Sequence, residues 1–295
     1  MIDVNYSAGR LSFSHVLGRG FIYGCLIFCA VIYMMPFLIM LSTSVRPLAE
    51  IKSGTIIAFP REITFDAWTK AWGEACIGTK CSGLSSHFWI SLKVVIPSVL
   101  VTTILGVLNG YALTKWKFRG ANLVFGLMLL GCFVPFQAIL LPMAQTLGVF
   151  GISNTPFGLA LVLTLYGIPF STLFFRNYYV SIPDDLVKAA TIDGAGFFST
   201  LWYIIVPLSP PIIVVNIIWQ FTNMWNDFLF GASFSNGDGQ PVIVALNNMV
   251  NTTTGVKEYN VDFAASIIAA LPTILVYVVA GKYFIRGLTA GSVKG

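Results

Sequence analysis

Six apolar stretches, each close to twenty residues or longer, constrain this chain more than any other feature of its sequence: 20–42, 88–113, 121–143, 157–175, 204–225 and 263–284. A hydrocarbon layer about 30 Å thick takes roughly 20 residues of α-helix to cross, and within it every backbone polar group must be satisfied inside the segment. The 295 residues are 56% hydrophobic and only 10% charged, with a mean hydropathy of +0.81, which excludes an ordinary soluble domain. The expected fold class is therefore all-α, a polytopic membrane protein with six transmembrane helices. Pro36, Pro97, Pro135, Pro142, Pro169, Pro210, Pro211 and Pro272 fall inside these stretches. Each would cost about 3 kcal/mol in a soluble helix, but a bundle satisfies the freed carbonyls through its neighbours, so kinked helices around a cavity are expected.

Threading follows from the basic residues in short connections. Arg10 and Arg19 precede the first stretch, Lys115, Lys117 and Arg119 join the second to the third, Arg176 and Lys188 follow the fourth, and Lys282, Arg286 and Lys294 end the chain. The link 145–155 has no Lys or Arg and 226–262 has only Lys257. Both termini are thus expected in the cytoplasm, with a cytoplasmic segment 1–19, a six-span transmembrane domain 20–285 and a cytoplasmic tail 286–295. The loop 177–203 is then cytoplasmic, and 43–87 and 226–262 are external. The first external loop holds Arg46, Lys52, Arg61, Lys70 and Lys80, balanced by Glu50, Glu62, Asp66 and Glu74, and reads as a small folded excursion. The net charge of +5 is dispersed, which fits topology better than a nucleic-acid patch. No charged, apolar, small-residue cleavage pattern precedes the first stretch, so it reads as an uncleaved span.

Chemistry-bearing patterns are sparse. There is no Gly-x-x-x-x-Gly-Lys-Ser/Thr, so any ATP use must come from a partner and no cofactor is expected on this chain. His15 and His87 fall in different compartments, and no nucleophile stands with a base, so no catalytic residues are assigned. Cys25, Cys29 and Cys132 lie within spans and behave as small hydrophobes. Cys76 and Cys81 flank Ile-Gly-Thr-Lys in the external loop; an oxidising compartment allows a disulfide there, the alternative being two free thiols, and the spacing suits no metal.

Polar groups in apolar spans are costly unless they face a cavity or a partner. The densest group is Gln220, Asn223, Trp225, Asn226 and Asp227 near the external end of the fifth span. Gln220, Asn223 and Asp227 share a helix face by spacing. Amides, one acid and an aromatic ring suit a sugar, which needs hydrogen-bond partners and a stacking surface; interfacial anchoring is the plainer account. Gln137, between Pro135 and Pro142, is a second cavity candidate, while Asn109 and Asn216 suit helix–helix hydrogen bonding.

The polar interruption 181–196 reads as a structural device. Pro183 fits a first helical turn, and Asp184 and Asp185 face the positive end of its dipole. Leu186, Val187, Ala189, Ala190 and Ile192 supply an apolar side until Gly194 and Gly196 allow the chain to reverse. A second helix from about Phe197 toward Pro207 completes a helix-turn-helix whose small residues permit close approach of another surface.

At Ala189-Ala190, Gly194 and Ile205-Val206-Pro207 the chain resembles the permease subunits of ATP-binding cassette importers, although Lys188 stands where that family has Glu. Thr43-Ser-Val, Glu50-Ile-x-x-Gly54, Thr64-Phe-Asp-Ala-Trp68, Tyr111-Ala-Leu, Phe118-Arg-Gly120, Trp225-Asn-Asp-Phe-Leu229 and Phe284-Ile-Arg-Gly-Leu-Thr-Ala-Gly291 resemble the carbohydrate-uptake group, in the subunit similar to the smaller maltose permease. The resemblance implies a type I importer permease in a bacterial inner (cytoplasmic) membrane, with a second permease, two ATP-binding cassette subunits carrying ATP and Mg, and an extracytoplasmic sugar-binding protein. It implies an ATPase contact through Asp184, Asp185, Lys188, Ala189, Ala190, Asp193, Gly194 and Pro207; either Asp184 or Asp185 supplies the acid that Lys188 lacks, or the ATPase partner has changed in step. It also implies that Asn251, Thr252, Thr253, Thr254 and Gly255 reach toward the binding protein. An ion-coupled sugar carrier, the alternative, would place ionisable residues in mid-span, whereas Lys93 and Asp227 lie near span ends.

Overall fold

The computed structural model describes residues 13–54, 58–116, 118–251 and 256–290, with side chains described between 18 and 281. Arg10, Lys117, Lys294 and the 252–255 run named above lie outside the described residues. In chain order the elements are α1 Phe13–Ser44, α2 Leu48–Ser53, α3 Asp66–Gly73, a hairpin of β1 Cys76–Ile77 and β2 Lys80–Cys81, and α4 Ser85–Thr114. They continue as α5 Ala121–Phe133, α6 Phe136–Val149, α7 Pro156–Val180, α8 Asp184–Ile192, α9 Phe197–Thr200, α10 Pro210–Trp225, α11 Leu229–Phe234, α12 Val242–Asn251 and α13 Tyr259–Ala290. A π-helical turn Leu201–Ile205 and a 3-10 turn Val206–Leu208 link α9 to α10.

Four helices, α1, α4, α7 and α13, are long and apolar enough to cross a membrane. The third and fifth apolar stretches are not single helices. Their halves bend by 101° between α5 and α6 and by 80° between Phe197–Leu208 and α10, so six spans result if each bent pair crosses once. Proline explains both breaks. Val134 is extended before Pro135, with ψ 121°, the conformation that the clash with a following proline ring favours. Pro210 and Pro211 start α10 at the positions where a missing N–H costs nothing. Pro97 and Pro169 stay inside continuous helices.

The described residues form two compact units, residues up to Trp68 with Glu258–Ala264, and Thr69–Lys257 with residues from Ala265 on. In the first, Arg46 is buried and its Nε donates to Glu50 Oε1 at 2.9 Å, while Asn260 Nδ2 donates to the Arg46 carbonyl at 3.1 Å. A buried guanidinium demands such partners. The apolar side chains of α1 from Phe21 to Leu38 are exposed.

The second unit is built on the close pairing of α4 and α7. A Cβ added to Gly106 or Gly110 would lie 2.7 Å from Ser171 Cβ or 2.6 Å from Phe175 Cβ, so only glycine lets these backbones meet. Where lipid surrounds helices, close contact and hydrogen bonds hold them together in place of hydrophobic exclusion. Asn109 Nδ2 accordingly donates to Thr172 Oγ1 at 3.2 Å and Asn216 Nδ2 to Thr103 Oγ1 at 3.0 Å. At one end of the pair Val107, Tyr111, Phe175, Tyr179, Ile182, Leu201 and Ile205 form a buried cluster. At the other, the Val242 N–H of α12 donates to Ser91 Oγ on α4 at 2.8 Å.

Candidate functional site

Two features stand along α7, one at its middle and one just past its C-terminal end. The first is a cleft of about 470 Å³ lined by α6, α7, α10 and α11. It exists because α10 ends at Trp225 and Asp227 starts a new direction: Asp227 Oδ2 accepts from the Gly231 N–H at 2.9 Å and so caps α11. Burial pushes the Asp227 carboxyl up from 3.8 to about 6, against the N–H groups of Gly231 and Phe230.

Rings form the cleft's apolar wall. Phe136, Tyr166 and Phe230 meet edge to face, with Tyr166 and Phe230 centroids 5.4 Å apart, and Phe170 and Trp219 also line it. The polar groups are Gln220, Asn223, Asn226 and Asp227. Asn223 Nδ2 donates to the Trp219 carbonyl at 2.8 Å and Asn226 Nδ2 to the Thr222 carbonyl at 2.9 Å. Both amides therefore turn a donor back on their own helix, leaving their Oδ1 atoms as acceptors for hydroxyl donors.

The structure corrects part of the expected grouping. Trp225 is buried, stacks on Phe221 at 5.5 Å and donates Nε1–H to the Ala269 carbonyl at 2.9 Å; it packs the core and offers no free face. Asp227 lies beyond the end of α10 and shares no helix face with Gln220 and Asn223. Gln220 is buried, its amide committed to Gly167 and Ser171. Gln137 is exposed and outside the lining, because the Pro135 break turns Phe136 in its place toward the cleft. Sequence reading missed Phe136, Tyr166, Phe170, Trp219 and Phe230, though Tyr166 and Phe170, one turn apart beside Gly167, were a usable signal.

The second feature is the elbow α8–α9. Pro183 precedes α8 with φ −58°, and Asp184 and Asp185 occupy its first turn. Gly194, at φ +84°, ends it: Gly194 N–H donates to the Thr191 carbonyl at 3.1 Å and Ala195 N–H to the Ala190 carbonyl at 2.8 Å, a Schellman cap. The expected single apolar side is in fact divided. Val187 and Ala190, three apart, turn inward, whereas Leu186, Ala189 and Ile192 are exposed. Asp193, Gly194 and Pro207 are exposed as well.

Neither acid of the first turn of α8 stands alone. Asp184 Oδ1 accepts from Lys115 Nζ at 2.6 Å, and Asp185 Oδ1 from Lys188 Nζ at 2.9 Å. Asp185 holds the Lys188 ammonium above its ordinary value.

Just before α4 a disulfide joins Cys76 to Cys81 and closes the β1–β2 hairpin. Lys80 Nζ meets Asp238 Oδ2 at 2.5 Å and His87 Nδ1 lies 2.8 Å from the Gln240 carbonyl. These residues, with Asn248 and Asn251, border a polar cleft of about 500 Å³. Among the described residues no three His, Cys, Asp or Glu gather as a metal site.

Residues 98–288 match the family described as binding-protein-dependent transport system inner membrane component. A probable ABC transporter permease protein of Pyrococcus horikoshii is 37% identical over 278 residues, covering 94% of this chain and 98% of that relative. The arabinooligosaccharides transport system permease protein of Halalkalibacterium halodurans is 30% identical over 278 residues, covering 91% and 94%. The fold is similar to a chain in the crystal structure of a bacterial ABC transporter involved in the import of the acidic polysaccharide alginate, with a TM-score of 0.80 at 20% identity, covering 92% of this chain and 98% of that one.

Proposed function

The chain belongs to the family of binding-protein-dependent transport system inner membrane components, and on that premise we propose that it is the permease subunit of a sugar importer driven by ATP hydrolysis on partner chains. The observation that carries the reading is the elbow: a nine-residue helix, α8, started after Pro183 and closed by a Schellman cap, that leaves Leu186, Ala189 and Ile192 uncovered beside the left-handed Gly194. Apolar side chains at the tip of an exposed helix suit a groove on a partner.

In this reading the elbow is cytoplasmic, together with both termini, and an ATP-binding cassette subunit holds it. The polar cleft at the hairpin end, with Asn251 on its border, faces the extracytoplasmic binding protein, and Thr252, Thr253, Thr254 and Gly255 continue from it. A second permease completes the path, and the membrane is a bacterial inner membrane. The cleft of Tyr166, Trp219, Asn223, Asn226 and Asp227 receives a mono- or disaccharide: rings meet C–H faces, and the Asn223 and Asn226 oxygens accept from hydroxyls. The relatives' named substrates, arabinooligosaccharides and alginate, are carbohydrates.

Reconstitution with co-expressed ATPase, second permease and binding protein tests the reading. Sugar-stimulated ATP hydrolysis and uptake that require all the partners are expected. Uptake by this chain alone under an ion gradient would overturn it.

A further inference from the structure

We propose that Lys115 is a positioning residue that makes the α8 elbow and the α4–α7 pair one body, so that displacement of the elbow reaches the cleft. The proposal rests on the reading of α8 as the ATPase-docking element and adds the group that transmits its motion.

Lys115 follows the last residue of α4, and its backbone N–H still donates to the Tyr111 carbonyl at 2.8 Å. Its side chain is 3% exposed. The ammonium donates to the Ile182 carbonyl at 2.5 Å and to Asp184 Oδ1 at 2.6 Å. One cation thus bridges the C-terminal end of α4, the turn after α7 and the first turn of α8. Each contact has its own physical ground. A cation is favourable at the negative end of a helix, a carboxylate at the positive end, and a buried ammonium needs oxygens around it.

A helix as short as α8 has no orientation of its own in water and takes it from tertiary contacts. Those on its inner side are Val187, packed on the buried cluster, the buried Ala190 and the Lys115 bridge. Beyond Lys115 the path is close-packed. Gly106 and Gly110 bring α4 onto Ser171 and Phe175 of α7, and Asn109 bonds Thr172. Further along α7, Tyr166, Gly167 and Phe170 line the cleft, where Gln220 Nε2 bonds the Gly167 carbonyl and Ser171. Coupling between distant sites runs through contiguous packed elements of this kind. Apolar packing alone would let α8 slide or tilt; an ion pair whose lysine is buried and whose aspartate is half exposed, with defined hydrogen bonds, fixes its angle.

The test uses the complete importer and measures ATP hydrolysed per sugar imported. Lys115→Gln and Asp184→Asn are expected to raise that ratio by roughly fivefold or more, the span of a typical coupling energy. Lys115→Arg, which keeps the cation, should stay near the wild-type ratio, and the Lys115→Gln, Asp184→Asn double variant should be no worse than either single one. A wild-type ratio in both single variants overturns the proposal. Should Lys115→Gln fail to assemble, Asp184→Asn alone decides, because it leaves the bond to the Ile182 carbonyl in place. A cysteine in place of exposed Ala189 separates the two layers: if it does not cross-link to the ATPase subunit, the docking reading itself falls. Cross-linking with unchanged ratios removes only the role of Lys115.

Discussion

Gln220 on α10 is tied to Ser171 on α7: its Nε2 donates to Ser171 Oγ at 2.7 Å and to the Gly167 carbonyl at 2.8 Å. The amide is a strut at the floor of the cleft. Gln220→Leu, close in volume, should destabilise the chain by about 0.6 to 2 kcal/mol, the range for interhelical hydrogen bonds in membranes. A lower melting temperature of the purified importer is the expected readout, with Ser171→Ala lowering it less.

Asn223 and Trp219 border the cleft, whereas Trp225 faces away into the core. Asn223→Ala and Trp219→Ala are therefore expected to raise the sugar concentration for half-maximal uptake, by about fivefold if each loses about 1 kcal/mol of contact. Trp225→Phe should leave that concentration unchanged and lower stability by about 1 kcal/mol, because the Ala269 carbonyl loses its donor. Uptake titrations alongside thermal melts separate the two classes.

Asp227 carries a pH dependence with a definite sign. Its carboxyl, pushed up to about 6 by burial against the Gly231 and Phe230 N–H groups, binds a proton in the folded chain over a range where the unfolded chain has released it. Stability should thus fall as pH rises from about 4 to about 6. The cleft gains its negative charge only above that window. Asp227→Asn is expected to flatten stability and uptake across it; an unchanged profile would remove the carboxyl from the account.

Gly194 sits at φ +84° with nothing within 4 Å of the Cβ it lacks. Substitution there meets backbone strain and no clash. Gly194→Val should cost about 1–2 kcal/mol at the cap and distort the elbow. Sugar uptake is expected to fall while the chain still inserts. Gly194→Asn, a residue tolerant of left-handed backbone, should keep most of the activity. Full uptake by Gly194→Val would count against a docking role for the elbow.

Local chemistry is legible along the chain itself. Pro183 and Gly194 act within a few residues of their own backbone, so the two ends of α8 follow from adjacent residues alone. Apolar length likewise marks the membrane segments. Whatever depends on a neighbour distant in the chain is visible only in the folded arrangement. Pro135 breaks its stretch and Pro169 does not, because the surroundings determine whether freed backbone groups find partners. Trp225 could not be told from a ligand-facing ring until Ala269, 44 residues away, claimed its N–H. Lys115 read as a topology signal until Asp184, 69 residues on, proved to be its partner. Sequence spacing carries helical period and capping; it holds no record of which helices meet.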